Sequence, residues 1–209
     1  MKKHHQVYKT KEGITVPSVT TIVNQLAKHA LIHWAWQLGM KGIDYREHRN
    51  ETAAIGTLVH EMIMADLKNE KYSIEEYTKT QIDQAENSFL SYLEWKKKYQ
   101  IEPLFVEQPL VSENYMFGGT PDFFGKVNNV FTVIDFKSGE GLYEEYWYQL
   151  AGYGILLEEM GYKAEKYMLV RIGRTEDEAF QEQIKTDLFW QRKIFFSLLD
   201  IYWFKEKLK

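Results

Sequence analysis

The spacing of apolar residues predicts helices in five parts of the chain. In each part apolar side chains recur every three or four positions, which places them on one face of a helix. Ser73 and Glu76 have the spacing of a capping box, so we expect the third helix to begin near Ser73. The predicted helices cover residues 24–40, 55–68, 73–99, 145–160 and 186–207, and residues 13–23 are expected to be extended.

The middle of the chain has the composition and alternation of β-strands. Strands are predicted at residues 104–111, 117–127, 130–137 and 165–172. Asn128 and Asn129 tolerate positive φ and predict a two-residue hairpin turn. Because a predicted helix separates the last two strands, residues 130–172 should form a right-handed crossover.

This order of elements predicts an α/β fold in which helices flank a mixed central sheet. The length of 209 residues suits a single domain over residues 1–209. Within it we expect a mostly helical N-terminal part (1–100), a sheet core with a crossover helix that carries the chemistry (101–175), and a C-terminal helix (176–209).

Composition excludes several kinds of site. The chain has no cysteine, which excludes disulfides, cysteine nucleophiles, thiolate zinc sites and cysteine-ligated iron–sulfur clusters. No apolar run is long enough to cross a bilayer, and no apolar signal core follows the basic segment 1–5, so we expect a cytoplasmic protein. The net charge of −4 argues mildly against a nucleic-acid partner, although a bound cation would restore positive charge locally.

Asp135 and Lys137 are the first candidate functional pair. They lie two positions apart at the end of an apolar strand, so both side chains project from the same face. A carboxylate beside an ammonium group can bind a cation and orient a water molecule. The same triplet also occurs at solvated strand ends, so this pattern alone leaves both interpretations open.

Asp122 is predicted to join this pair through the hairpin. The turn at 128–129 places Asp122 close to opposite Asp135 on the neighbouring strand. Two carboxylates brought together favour a bound cation, and their hard oxygen atoms suit Mg²⁺ or Mn²⁺. The alternative is a Gly-Asp turn in which Asp122 only caps the loop.

His60 lies on an otherwise apolar helix face that also carries Gly56. A single histidine in such a place is often a hydrogen-bonded core residue; the functional alternative is an imidazole ligand, which would favour Mn²⁺ or another transition ion. Gln149 and Tyr153 are four positions apart and share a helix face, from which they can reach phosphate or base. Their alternative role is structural, at the edge of an aromatic core helix.

The order of these residues along the chain resembles a known superfamily. Four short motifs follow one another: Gly56 with His60, Gly119 with Asp122, Asp135 with Lys137, and Gln149 with Tyr153. This series is similar to that of the PD-(D/E)XK nuclease superfamily, in its RecB-like, phage exonuclease-type branch, and residues 17–23 also resemble the start of phage-type members. The resemblance covers about residues 14–175 and implies a restriction-endonuclease-like fold.

The resemblance also implies roles for the site residues. The metal ligands would be His60, Asp122, Asp135 and the backbone carbonyl of Phe136. Asp122, Asp135 and Lys137 would be catalytic, with Lys137 orienting or deprotonating the attacking water. The cofactor would be Mg²⁺ or Mn²⁺, without the iron–sulfur cluster of some relatives, because the chain has no cysteine.

The implied function is metal-dependent hydrolysis of phosphodiester bonds in DNA, by an exonuclease of phage or recombination and repair type. Gln149 and Tyr153 would hold the DNA strand, and a recombination or single-strand-annealing protein is the partner that this branch suggests. No G-x-x-x-x-G-K-[ST] motif is present, so no helicase motor is expected. Glu61 and Glu107 are both candidates for an additional family-like glutamate.

Two other functions remain open from the sequence. The first is a nucleic-acid-binding or assembly module that keeps the fold but does not cut, against which the full set of catalytic residues argues. The second is a hydrolase of a small phosphoester. Lys28, Lys126 and Arg171, expected near the mouth of the site, favour a polymeric anion over a small one.

Overall fold

The computed structural model of the chain describes residues 6–139, 141–173, 178 and 180–209. The basic segment 1–5, and residues 174 and 175 at the end of the predicted sheet core, lie outside these ranges. Within them the strands are β1 (Tyr8–Lys9), β2 (Thr15–Val16), β3 (Ile101–Val106), β4 (Leu110–Ser112), β5 (Phe117–Gly119), β6 (Phe123–Val127), β7 (Val130–Lys137), β8 (Lys166–Arg171) and β9 (Gln181–Lys185). The helices are α1 (Val19–Val23), α2 (His29–Met40), α3 (Tyr45–Lys68), α4 (Lys79–Lys96), α5 (Glu144–Glu159) and α6 (Phe189–Lys207).

A mixed five-stranded sheet with the order β3-β6-β7-β8-β9 forms the centre of the molecule. β7 and β8 are parallel, and the other three pairs of neighbours are antiparallel. Helices pack on both faces, so the predicted mixed α/β architecture is confirmed. The predicted hairpin turn between β6 and β7 is also present, since Asn128 and Asn129 have φ values of 51° and 65°.

Two predicted strands are each broken into two, and two strands, β1 and β9, escape prediction. Residues 104–111 divide into β3 and β4, because the chain turns at Glu107, whose φ is 50°. Residues 117–127 divide into β5 and β6 around Pro121, which has no N–H to donate to a ladder. β4 and β5 pair with each other in a separate ladder. β9 is an edge strand with the polar sequence QEQIK, so no apolar pattern marks it, and the predicted C-terminal part 176–209 contains this strand as well as α6.

The N-terminal helices begin at positions other than those predicted. The segment 13–23 is extended only in part, because Ser18 caps the short helix α1 with its side chain. The next helix begins at His29 rather than at 24. α3 begins at Tyr45, ten residues before its predicted start at 55, and Asp44 accepts a hydrogen bond from the backbone of Arg46 as its cap.

The capping box that begins α4 lies five residues after the predicted one. Thr78 and Gln81 exchange side-chain and backbone hydrogen bonds at the start of this helix. Ser73 accepts a hydrogen bond from the backbone of Glu75, but the helix begins at Lys79. Among the described residues, no helix is both long enough and apolar enough to span a membrane.

Two apolar layers enclose the sheet and fix the direction of the β7 side chains. One layer joins the sheet to α1, α5 and α6, and the other joins it to α3 and α4. Val133 belongs to the first layer, whereas Ile134 and Phe136 belong to the second. Alternation along the strand therefore directs Asp135 and Lys137 towards the α5 side of the sheet.

Candidate active site

His60 and Asp122 meet at the end of the central sheet. Nε2 of His60 on α3 lies 3.0 Å from Oδ1 of Asp122, the residue directly before β6. Gly56, one turn before His60, allows this approach, because a Cβ there would lie 2.7 Å from Oγ of Ser138, just beyond β7. The glycine of the first motif therefore brings the histidine-bearing helix close to the end of β7.

The second carboxylate oxygen of Asp122 forms a hydrogen bond with β7. Oδ2 accepts a hydrogen bond of 2.8 Å from the backbone N–H of Phe136. Phe123 pairs with Ile134 in the hairpin, so continuing the register by one residue places Asp122 opposite Asp135, as the turn predicted. Because N–H and C=O of one strand residue point to the same edge, the carbonyl of Phe136 also faces the Asp122 side.

Asp135 and Lys137 form a buried ion pair. The Asp135 side chain is 1% exposed, and its Oδ2 lies 2.5 Å from Nζ of Lys137. Nζ also donates a 3.1 Å hydrogen bond to Oε1 of Gln149 on α5 and lies 4.6 Å from the centre of the Tyr146 ring. Three neighbours thus fix the position of the ammonium group.

Gln149 and Tyr153 extend this network into the core. Nε2 of Gln149 donates a 2.7 Å hydrogen bond to the Tyr153 hydroxyl. Tyr153 is only 4% exposed and packs against Gly119, where a Cβ would lie 2.9 Å from its ring. In this structure the Tyr153 hydroxyl supports Gln149, and the role of Tyr153 in holding the DNA strand stays a prediction.

Burial and neighbouring charges shift the pKa values of the two aspartates in opposite directions. Burial raises the pKa of Asp135 to about 6, with the Asp122 charge adding to the effect and Lys137 opposing it. Burial also acts to raise the pKa of Asp122, but His60, Lys137 and the Phe136 N–H outweigh it and lower that pKa. Despite burial, the pKa of Lys137 is raised by the two carboxylates. Asp122 is therefore ionised at neutral pH, and Lys137 is an ammonium cation.

The structure distinguishes the two glutamate candidates. Oε1 of Glu107 lies 3.5 Å from Nδ1 of His60, and its Oε2 accepts a 2.9 Å bond from Lys68. The carboxylate of Glu61 instead accepts a hydrogen bond from Tyr77. Glu107 thus contacts the candidate site through His60. A carboxylate on the far ring nitrogen of a histidine is the usual arrangement behind metal-ligating histidines.

The donor atoms fit a divalent cation. Neighbouring ligands of an octahedral ion with bonds of about 2.1 Å lie roughly 3.0 Å apart, which is the separation of His60 Nε2 and Asp122 Oδ1. Oδ2 of Asp135 is buried and receives no hydrogen bond beyond its contact with Lys137. Among the described residues, no group of three histidine or acidic side chains is arranged to hold one metal ion in this structure.

A small cleft lies beside these residues. Its volume is about 40 Å³, and its lining includes His60, Lys137 and Ser138. A space of this size holds a few water molecules at most. The cleft therefore lies beside α3, next to His60 and the end of β7.

The three expected basic residues are not all near the site. Arg171 is the register partner of Lys137 on β8 and lies beside it. Lys126 pairs with Phe131 near the hairpin turn, at the opposite end of the strand, so its expected place is wrong. Lys28 donates to Asn24 between α1 and α2, away from the contacts that form the site.

Two supports of the site were not predicted. Tyr146 lies under the Lys137 ammonium group, and its position three residues before Gln149 on the same helix is a signal that could have found it. The segment 17–23 packs on the Gly-Gly motif: Pro17 accepts a backbone bond from Gly118, and Val19 fills the space above Gly119. This contact explains in part why glycines precede Asp122.

No protein-family model matches the chain, and no curated protein matches it. Among solved structures, the crystal structure of SSO0001 is similar over 72% of this chain and 74% of that one, with 17% identity and a TM-score of 0.34. At that TM-score the similarity supports no conclusion about fold or function. The site is therefore interpreted from its own residues.

Proposed function

We propose that the protein is a divalent-metal-dependent nuclease that hydrolyses phosphodiester bonds in DNA, with a restriction-endonuclease-like fold of the PD-(D/E)XK superfamily. The observation that carries the proposal is the convergence of His60, Asp122, Asp135 and Lys137 at one end of β7. These residues come from α3, the start of β6 and β7, and they are the residues of the ordered motifs.

The proposed metal ligands are His60, Asp122, Asp135 and the carbonyl of Phe136. The mixture of carboxylate oxygen and imidazole nitrogen suits Mg²⁺ and, more so, Mn²⁺. When bound, the ion would polarise the phosphate and lower the pKa of a coordinated water. In this structure Lys137 balances the charge of Asp135, and His60 lies against Asp122.

Lys137 is the residue proposed to act on the reacting groups. Its ammonium is held by Gln149 and lies over Tyr146, so it does not have to be ordered during the reaction. Fixed positive charge beside a phosphate that gains negative charge lowers the barrier to hydrolysis. Tyr153 positions Gln149, and Glu107 holds the ring of His60, so both act through another residue.

DNA is the proposed substrate, and Arg171 beside Lys137 is the basic residue placed to meet its backbone. Exonuclease action and a recombination or single-strand-annealing partner follow only from the resemblance to the branch. The proposed cytoplasmic location rests on the sequence, which has no apolar run long enough to cross a bilayer. Gln149 remains a predicted contact for the DNA strand, in addition to its bond with Lys137.

A non-cleaving nucleic-acid-binding module is the second candidate. The observation that favours it is the internal pairing of the site, because both acids already have a partner, His60 for Asp122 and Lys137 for Asp135. A protein that binds DNA through other surfaces could keep such a network only for stability. Cleavage assays separate the two candidates.

The test uses end-labelled linear DNA and closed circular DNA with Mn²⁺ or Mg²⁺, and the same reactions with chelator. The proposal expects metal-dependent shortening of the linear DNA. The rate of this cleavage should fall by about 100-fold or more in the Lys137→Ala variant. Lys126→Ala is the matched control, because it removes a lysine from the same sheet far from the site. Tight binding of DNA without cleavage by the wild type would instead establish the module, and nicking of the circles would identify an endonuclease.

A further inference from the structure

The outer face of α6 carries an apolar seam that nothing in its own chain covers within the described residues. The seam consists of Trp190, Ile194, Ser197, Ile201, Phe204 and Leu208. Apart from the serine, its members are large apolar side chains that are between 38% and 87% exposed. The opposite face of the helix, with Phe195, Leu198 and Leu199, is buried in the core. A helix that is apolar on two faces is expected to be covered on both.

The seam residues recur along the sequence at the intervals typical of helices that pair with a second helix. Its positions are separated alternately by four and three residues from Trp190 to Leu208, as in the repeats of paired helices. Such a repeat keeps a straight line of side chains along one helix, which a second helix can follow. Leu90 on α4, by comparison, is exposed but has no exposed large apolar residue three or four positions away.

The exposed area is sufficient for a specific interface. Large apolar and aromatic side chains each offer on the order of 100–200 Å² when exposed, so the seam presents roughly 600 Å² per copy. Two copies facing each other would bury about 1,000 Å² or slightly more, which is the lower limit of stable protein interfaces. A patch of this size is also at the upper end for a monomer in water.

We propose that the occupant of the seam is a second copy of this chain, in an antiparallel pair of α6 helices with Ser197 at the twofold axis. The small serine allows close approach at the centre. Trp190 then faces the partner's Phe204 and Ile194 lies close to the partner's Ile201, and each pair of residues occurs twice because of the symmetry.

The charges beside the seam fit this arrangement. Lys193 and Asp200 occupy the same edge on either side of Ser197, so an antiparallel partner brings Lys193 opposite the partner's Asp200. Within the described residues, neither side chain forms an ion pair in its own chain; Lys193 lies over the Phe189 ring, 5.5 Å from its centre. The inference is independent of the proposed nuclease activity.

Sedimentation equilibrium and light scattering of the full chain test the dimer. At tens of micromolar protein, the wild type should have twice the 24.9 kDa mass of the chain. Ile201→Asp should be monomeric with an unchanged circular dichroism spectrum. Leu90→Asp, which places the same charge at an exposed apolar position on α4, should remain dimeric. A monomeric wild type, or an oligomer larger than two, would overturn the proposal.

Disulfide trapping tests the register, since the chain has no cysteine of its own. Ser197→Cys alone should form a covalent dimer on mild oxidation. Lys193→Cys and Asp200→Cys should cross-link to each other in a mixture and much less when oxidised separately. Cross-linking of Ser197→Cys without cross-linking in the mixture would contradict the antiparallel register. Loss of all cross-links on adding Ile201→Asp would show that the seam itself brings the copies together.

Discussion

Nε2 of His60 lies 3.0 Å from Oδ1 of Asp122, although the two residues are 62 positions apart in the chain. The contact joins the helical N-terminal half to the β6–β7 hairpin at the point where the Asp-x-Lys strand ends. The position of His60 suits either of two roles, a hydrogen-bonded core histidine or a metal ligand. The response of the site to a divalent ion distinguishes the two roles.

Stabilisation by metal should depend on pH through Asp135. Burial, assisted by the charge of Asp122, raises the pKa of Asp135 to about 6. For a carboxyl with a raised pKa, the favourable contribution to folding is complete below the unfolded-state pKa of about 4 and is lost as pH rises through about 6. Metal binding requires the ionised form, so Mn²⁺ should raise the melting temperature more at pH 7.5 than at pH 5.

The measurement is a series of melting curves with Mn²⁺ and with chelator between pH 5 and pH 8. Asp135→Asn is the control, because it cannot titrate. In that variant the metal-induced shift should be small at every pH. A wild-type shift that is equal at both ends of the range, or larger in acid, would contradict the prediction.

Gly119→Ala should damage the site without changing a functional group. The added Cβ would lie 2.8 Å from Val19 and 2.9 Å from the Tyr153 ring, both of which are buried. Overpacking of this kind costs about 1–3 kcal/mol, and the displaced ring should disturb the bond to Gln149. Urea denaturation measures the loss of stability.

A glycine in open space supplies the matched comparison. Gly39 in α2 has no atom within 4 Å of an added Cβ, so Gly39→Ala should stabilise the helix by about 0.5–1 kcal/mol. Equal effects of the two substitutions on stability would show that the residues around Gly119 leave room for a larger side chain at that position.

Tyr153→Phe should lower the rate of cleavage more than it lowers affinity for DNA. The hydroxyl accepts a 2.7 Å bond from Gln149, which in turn accepts a bond from Lys137. Loss of one such bond corresponds to about 1 kcal/mol, so kcat should fall between about threefold and tenfold while KM changes little. Tyr148→Phe on the same helix, which lies outside these contacts, should behave as the wild type. A rise in KM at constant kcat would indicate a direct contact with DNA instead.

Glu182 on β9 should be important for stability. Its carboxylate accepts 2.8 Å hydrogen bonds from the indole N–H of Trp95 and from the hydroxyl of Tyr99. Glu182→Ala leaves these two donors without their acceptor, which should cost about 2–3 kcal/mol in the free energy of unfolding. Gln183→Ala, the neighbouring position on the same strand, should cost less than about 0.5 kcal/mol. Equal denaturation midpoints for the two variants would disprove this role.

The parts of the molecule that sequence reasoning predicted are those fixed by neighbours in the chain. Two asparagines set the hairpin, and the hairpin sets the register that brings Asp122 opposite Asp135. Residues two apart on a strand, or four apart on a helix, share a face whatever the rest of the fold does. Asp135 with Lys137, and Gln149 with Tyr153, follow from this rule.

The parts that escaped prediction depend on contacts between distant segments. The bridge from Pro17 to Gly118 creates a small ladder that no local pattern indicates. The left-handed backbone at Glu107 both divides a predicted strand and brings its carboxylate to His60. Burial of Tyr153 is also set by packing, because Gly119 and α1 lie on it from another part of the chain.

Mn²⁺ binding to the purified protein is the most direct test of the central proposal. Calorimetric titration of the wild type should show binding that is lost or weakened by at least tenfold in His60→Ala, Asp122→Asn and Asp135→Asn, each with a normal circular dichroism spectrum. Lys137→Ala should still bind Mn²⁺ but should not cleave DNA, and Glu61→Gln, whose carboxylate contacts Tyr77, should bind as the wild type does. Equal Mn²⁺ affinity in the wild type and the two aspartate variants would contradict the account.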